Sequence, residues 1–146
     1  MTDTTTPVDE RLRRPPGIRT LTLGDTKLTY VPDGQTVTDG EEVFPGVRVM
    51  LAPGHSAGHT AYVIEEGGQR VIAFGDAFHS PLQITHPLWE NPFDHDHAQA
   101  TSLRHRLVLD MANKPDTIGF GIHFADVPFG RVRIEDNQAS WQPIDA

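Results

Sequence analysis

The chain contains no cysteine, which excludes disulfides, thiolate nucleophiles and every cysteine-held zinc site. Any metal must therefore be held by His, Asp or Glu. Long apolar runs are also absent: nothing approaches the roughly 18 residues that suggest a membrane span. The start, from Met1 to Glu10, is polar and Thr-rich, with no hydrophobic segment of an export signal. Basic residues are scarce. Twelve Lys and Arg stand against 20 Asp and Glu, a formal charge of −8, which argues against nucleic acid or an anionic membrane as the main partner. These absences together lead to the expectation of a soluble cytoplasmic protein. What is abundant is Gly, with 13, and Pro, with 12, a composition that predicts turns and short strands with little helix. At 146 residues the chain suits one domain with a sizeable core.

Residues 1–16 close on Pro15-Pro16 and are read as a disordered arm. Arg11, Arg13 and Arg14 within it read as solvated charge. Residues 17–146 form the expected domain. Ile18, Leu21 and Leu23, then Leu28 and Tyr30, alternate on either side of Gly24-Asp25, the pattern of a β-hairpin. Strands are predicted over 47–51, 60–64 and 70–74, the last two joined as a hairpin, and over 117–122, 132–135 and 140–142. The one long helix is predicted to start at an Asp94 cap and run to Asn113. Ala100, Leu103, Leu107 and Met111 mark its apolar face. Between lies a Pro-punctuated loop, 81–92, carrying Leu82, Ile84, Leu88 and Trp89.

Three predicted strand ends carry groups able to bind metal. Ala52-Pro53-Gly54-His55-Ser56-Ala57-Gly58-His59-Thr60 offers two imidazoles, Gly75-Asp76-Ala77-Phe78-His79 a carboxylate and a third imidazole, and Gly121-Ile122-His123-Phe124 a fourth. From His55 to Asp76 is 21 residues, and from Asp76 to His123 is 47. Motifs and spacings together resemble the second half of the metallo-β-lactamase fold, a family of metal-dependent hydrolases. Gly75 to Gln83 and the Asp94/Asp96 helix start look most like its lactonase and organophosphate-hydrolase-like branch.

The resemblance implies an α+β fold, mainly β with one long helix: half of an αββα sandwich plus the N-terminal hairpin. It carries His55, Asp76 and His123 over as metal ligands. The family's central HxHxDH motif occurs nowhere among the eight histidines of this chain. After Pro32-Asp33-Gly34 the hairpin runs almost directly into the segment preceding the His55 loop, so against the family's pattern a block bearing most ligands of a binuclear site is absent. Two imidazoles and one carboxylate suit one divalent cation, zinc, iron or manganese, or no metal at all.

Each site residue also has a plainer reading. His55, Asp76 and His123 are ligands, or structural groups left from a lost site. His59 is expected to brace its loop by hydrogen bonding, with proton shuttling as its catalytic reading. His79, three residues beyond Asp76, is an acid/base candidate, and Asp76 belongs with the catalytic set. His95 and His97 are read as helix-start residues, since side chains two apart diverge. The 81–92 loop and Phe93 either wall a substrate pocket or cover exposed sheet.

The expected function is that of a small-molecule enzyme acting on an ester, a lactone or a related metabolite, by hydrolysis or by acid/base chemistry such as cyclisation, isomerisation or dehydration. The alternative is a binding or accessory protein that kept the scaffold and lost the binuclear site. Half a sandwich would leave apolar sheet uncovered, so a homodimer is expected.

Overall fold

A computed structural model describes residues 19–23, 26–30 and 37–145. The chain divides into two compact units, Met1–Thr36 and Val37–Ala146. In the first, strands β1 (Arg19–Leu23) and β2 (Thr26–Tyr30) pair antiparallel, Arg19 opposite Tyr30 and Leu23 opposite Thr26, as the alternating apolar pattern predicts. The expected arm over residues 1–16 lies outside the described residues.

The second unit is a seven-stranded sheet in the order β3 (Glu42–Phe44), β4 (Val47–Leu51), β5 (Thr60–Glu66), β6 (Gln69–Ala73), β7 (Ile118–Phe120), β8 (Phe129–Glu135) and β9 (Gln138–Pro143). All neighbours are antiparallel except β6 and β7, which run parallel. A parallel pair requires a crossover connection. Here it contains a 3-10 turn (Gly75–Ala77), a one-turn helix α1 (Leu82–Thr85) and the long helix α2 (His97–Asn113). This is the α+β architecture, mainly β with one long helix, that the resemblance implies.

Helix α2 buries Ala100, Leu103, Leu107, Val108 and Met111, the apolar face read from their spacing, and packs on β8. Its cap is Asp96, not Asp94: the Asp96 carboxylate accepts from the Gln99 backbone N–H at 2.9 Å. Asp94 is fully buried and bonded elsewhere. The 81–92 segment also departs from expectation by forming α1, whose Ile84 enters the core. Leu82, Leu88, Trp89 and the neighbouring Phe93 point outward. Phe74, Phe78, Phe124 and Trp141 form an aromatic cluster with centroids 5.0 to 6.3 Å apart. Trp141 lies against Gly119 and Gly130, where a Cβ would meet the indole at 2.8 and 2.4 Å. Phe44, Leu51, Tyr62 and Ile134 on the strands remain exposed.

Candidate metal centre

The His55 loop is fixed to the start of α2 by backbone bonds: His95 N–H donates to the His55 carbonyl at 3.1 Å, and Asp96 N–H to that of Gly54 at 2.9 Å. Gly54 makes this approach possible. Its φ is +139°, and a Cβ there would lie 2.4 Å from the Ala100 nitrogen, closer than packed atoms come.

From β6 the chain enters the 3-10 turn, which presents Asp76 and then His79. His59 anchors that turn, with Nδ1 2.9 Å from the Ala52 carbonyl and Nε2 accepting the Asp76 backbone N–H at 3.1 Å. A carbonyl only accepts and an N–H only donates, so His59 carries its proton on Nδ1. Both its nitrogens are spent on backbone, so proton shuttling would require breaking one of these bonds. Gly75 has φ +51°, and a Cβ on it would come within 2.9 Å of His59 Nε2. Bracing the loop is the role this geometry gives His59.

Among the described residues, one group of His, Asp and Glu side chains brings three ligand atoms within 4.8 Å of one another: His55, Asp76 and His79. His55 Nε2 stands 3.9 Å from Asp76 Oδ2. Two donors sharing a tetrahedral zinc are separated by about 3.4 Å, so a small closure would complete the set. His79 Nδ1 is buried with no hydrogen-bond partner, an atom whose burial is costly unless something occupies it. A borderline divalent ion such as zinc or iron(II) fits two imidazoles and a carboxylate.

His123, the third ligand expected from the sequence, lies beside this group instead. Its Nε2 is 2.6 Å from Asp76 Oδ1, and its ring stacks on His79 with centroids 4.9 Å apart. The hydrogen bond from His123 is the main reason the Asp76 carboxyl is held below its ordinary range. Burial opposes that shift, and the His55, His123 and His79 rings add to it. Burial pushes the His79 imidazole down, with neighbouring His123 and His55 acting the same way and Asp76 and Asp94 opposing. His79 is therefore neutral, with a lone pair to give, at ordinary pH.

Sequence reasoning missed the group behind His55. Asp94 Oδ1 lies 3.3 Å from His55 Nδ1, and Asp94 Oδ2 accepts from Arg104 at 3.0 Å. The Asp94 and Arg104 side chains are both fully buried. The available signal was Arg104, a charge four residues from Ala100 and four from Val108 on the apolar face of α2. His95 is exposed, and His97 lies 4.0 Å from Glu90; neither joins the metal-competent group.

This fold, with a metal-competent group at its strand ends, is a hydrolase-type scaffold. The family model of the metallo-beta-lactamase superfamily matches residues 5–122, and the chain belongs to that superfamily. Among solved structures it is similar to AidC, a dizinc quorum-quenching lactonase in complex with its product (23% identity, TM-score 0.68), covering 75% of this chain and 37% of AidC. It is also similar to the hydrolase AbOPH (24% identity, TM-score 0.67, 73% of this chain and 37% of that one). A quorum-quenching N-acyl homoserine lactone lactonase aligns at 27% identity and TM-score 0.50, over 62% of this chain and 38% of its own. The chain thus spans well under half the length of these relatives. No curated protein matches it in sequence.

Proposed function

We propose that the chain is a small-molecule enzyme holding a single divalent cation through His55, Asp76 and His79, and acting on an ester, a lactone or a related metabolite. The observation carrying this reading is the mutual approach of those three donors to within 4.8 Å, together with the unpartnered, buried Nδ1 of His79. When bound, such a cation polarises a carbonyl or lowers the pKa of water. The protein's own contribution is orientation. His59 fixes the Asp76 backbone, Asp94 faces the rear nitrogen of His55, and His123 holds one oxygen of Asp76.

His123 is also the proton carrier this arrangement favours. Its imidazole is more exposed than that of His55, and Asp76 bonds it as a carboxylate orients a catalytic imidazole. The same His123–Asp76 pair could serve cyclisation, isomerisation or dehydration without metal. Leu82, Leu88, Trp89 and Phe93, close in sequence to the site residues and exposed, are available to contact an apolar substituent. Ester or lactone turnover by the zinc-loaded chain, abolished by Asp76→Ala, is the expected result. Zinc uptake with no turnover across an ester and lactone panel would count against the enzymatic reading.

A binding or accessory role is favoured by one feature, the 2.6 Å His123–Asp76 bond, which satisfies the carboxylate without any ion. Asp76→Ala would then leave small-molecule binding intact. The exposed strand residues favour self-association as a homodimer; a monomeric mass by light scattering would refute the dimer.

A further inference from the structure

The buried Asp94–Arg104 pair is arranged unlike a pair whose purpose is only to neutralise charge. A guanidinium and a carboxylate commonly meet through two parallel hydrogen bonds. Here only Oδ2 of Asp94 meets Arg104, at 3.0 Å, while Oδ1 faces His55 Nδ1 at 3.3 Å. The rest of the guanidinium is spent on three backbone carbonyls: Ala77 at 3.3 Å, Pro87 at 3.2 Å and Trp89 at 2.9 Å. Arg104 thereby ties the end of the Asp76 turn and the segment after α1 to the middle of α2. With neither side chain of the pair exposed, the carboxylate cannot turn to water. Its second oxygen has one direction left, toward the imidazole.

On the reading that His55 is a metal ligand, we propose that Asp94 is the positioning residue of the site and Arg104 the clamp that aims it. An ionised carboxylate only accepts hydrogen bonds, so Asp94 requires His55 to carry its proton on Nδ1. That leaves Nε2 as a lone pair directed at the space beside Asp76 Oδ2, 3.9 Å away. A carboxylate behind a ligating imidazole fixes the ring and raises its basicity, and its loss typically weakens metal binding 10- to 100-fold. Without Asp94, the ring could flip or take its proton on Nε2, presenting N–H where a cation needs a lone pair. Sequence distance hides the device: the three residues come from the loop after β4, the approach to α2 and the helix itself.

Two measurements on the whole chain test this. The first is the tautomer of His55 in the metal-free wild type, read from 15N chemical shifts assigned with His55→Gln. The proton is expected on Nδ1, and a proton on Nε2 would overturn the proposal. The second is zinc affinity, by competition with a chromophoric chelator, for wild type, Asp94→Asn, His55→Ala and the double variant. Asp94→Asn should raise the zinc Kd about 10- to 100-fold when His55 is present and leave it unchanged when His55 is absent. An unchanged Kd, or equal weakening in both backgrounds, would overturn it. Failure of wild type to bind zinc would remove the metal reading alone, since the tautomer decides the positioning role without metal. The tautomer also decides it should Asp94→Asn not fold.

Discussion

Helix α2 takes part in two polar networks, and they differ in what they do with their charge. At its middle, Arg104 meets Asp94 from the segment before the helix; both side chains are wholly buried, and one carboxylate oxygen faces His55. Toward its C-terminal end, Asp110 meets Arg70 of β6 at 2.8 Å and Lys114 at 3.1 Å, with Arg70 also donating to Thr117 at 3.1 Å. That second network is partly exposed and continues from Arg70 to Glu65 at 3.8 Å. It staples the helix to the sheet, whereas the first sacrifices a second Arg–carboxylate bond to orient an imidazole. Burial, together with a carboxylate oxygen that no Arg or Lys engages, sets the first network apart from the second.

Substitution should separate the two networks most clearly. Asp94→Ala leaves a buried guanidinium unpaired and is expected to cost about 3–5 kcal/mol in urea unfolding. A loss near that of a surface ion pair would erase the distinction. Gly54→Ala, which forces a Cβ against Ala100, should cost about 3 kcal/mol, and zinc affinity should fall with it as the His55 loop leaves the helix. Asp110→Ala is expected to cost only about 1 kcal/mol and to leave zinc affinity unchanged.

The smallest effect concerns pH. Burial raises the Asp110 carboxyl, but the Arg70 bond and Lys114 outweigh it, so its pKa lies below the ordinary 3.8. A depressed carboxylate binds fewer protons folded than unfolded. Its contribution is therefore complete above the ordinary value and is lost as pH falls through the folded one. The stability difference between wild type and Arg70→Gln, followed by urea unfolding over an acid pH series, should be flat above that range and shrink below it. A difference that grows on acidification would contradict the assignment.

The sequence made the scaffold legible where periodicity is unbroken. On helix α2, Ala100, Leu103, Leu107 and Met111 recur at helical spacing, and all four are buried as that spacing predicts. Strands β8 and β9 are longer than expected, since Gly130 offers no side chain to a pattern and is covered instead by Trp141. Helix α1, four residues between Pro81 and His86, is too short for a helical period to register. The helix cap was misplaced by two residues because Asp94 and Asp96 are equivalent as cap chemistry. Only the distant Arg104 and His55 decide between them. The same long-range contacts explain the site. His55 and Asp76 were readable from motif and spacing, but the nearness of His79 depends on the turn after β6, and the engagement of His59 depends on two backbone groups from separate segments.

Metal stoichiometry tests the central claim most directly. Protein purified without chelators, loaded with zinc, desalted and assayed by elemental analysis should hold one zinc per chain, and Asp76→Ala should hold none. Two zinc ions per wild-type chain, or retention of the ion by Asp76→Ala, would contradict a single centre built on His55, Asp76 and His79.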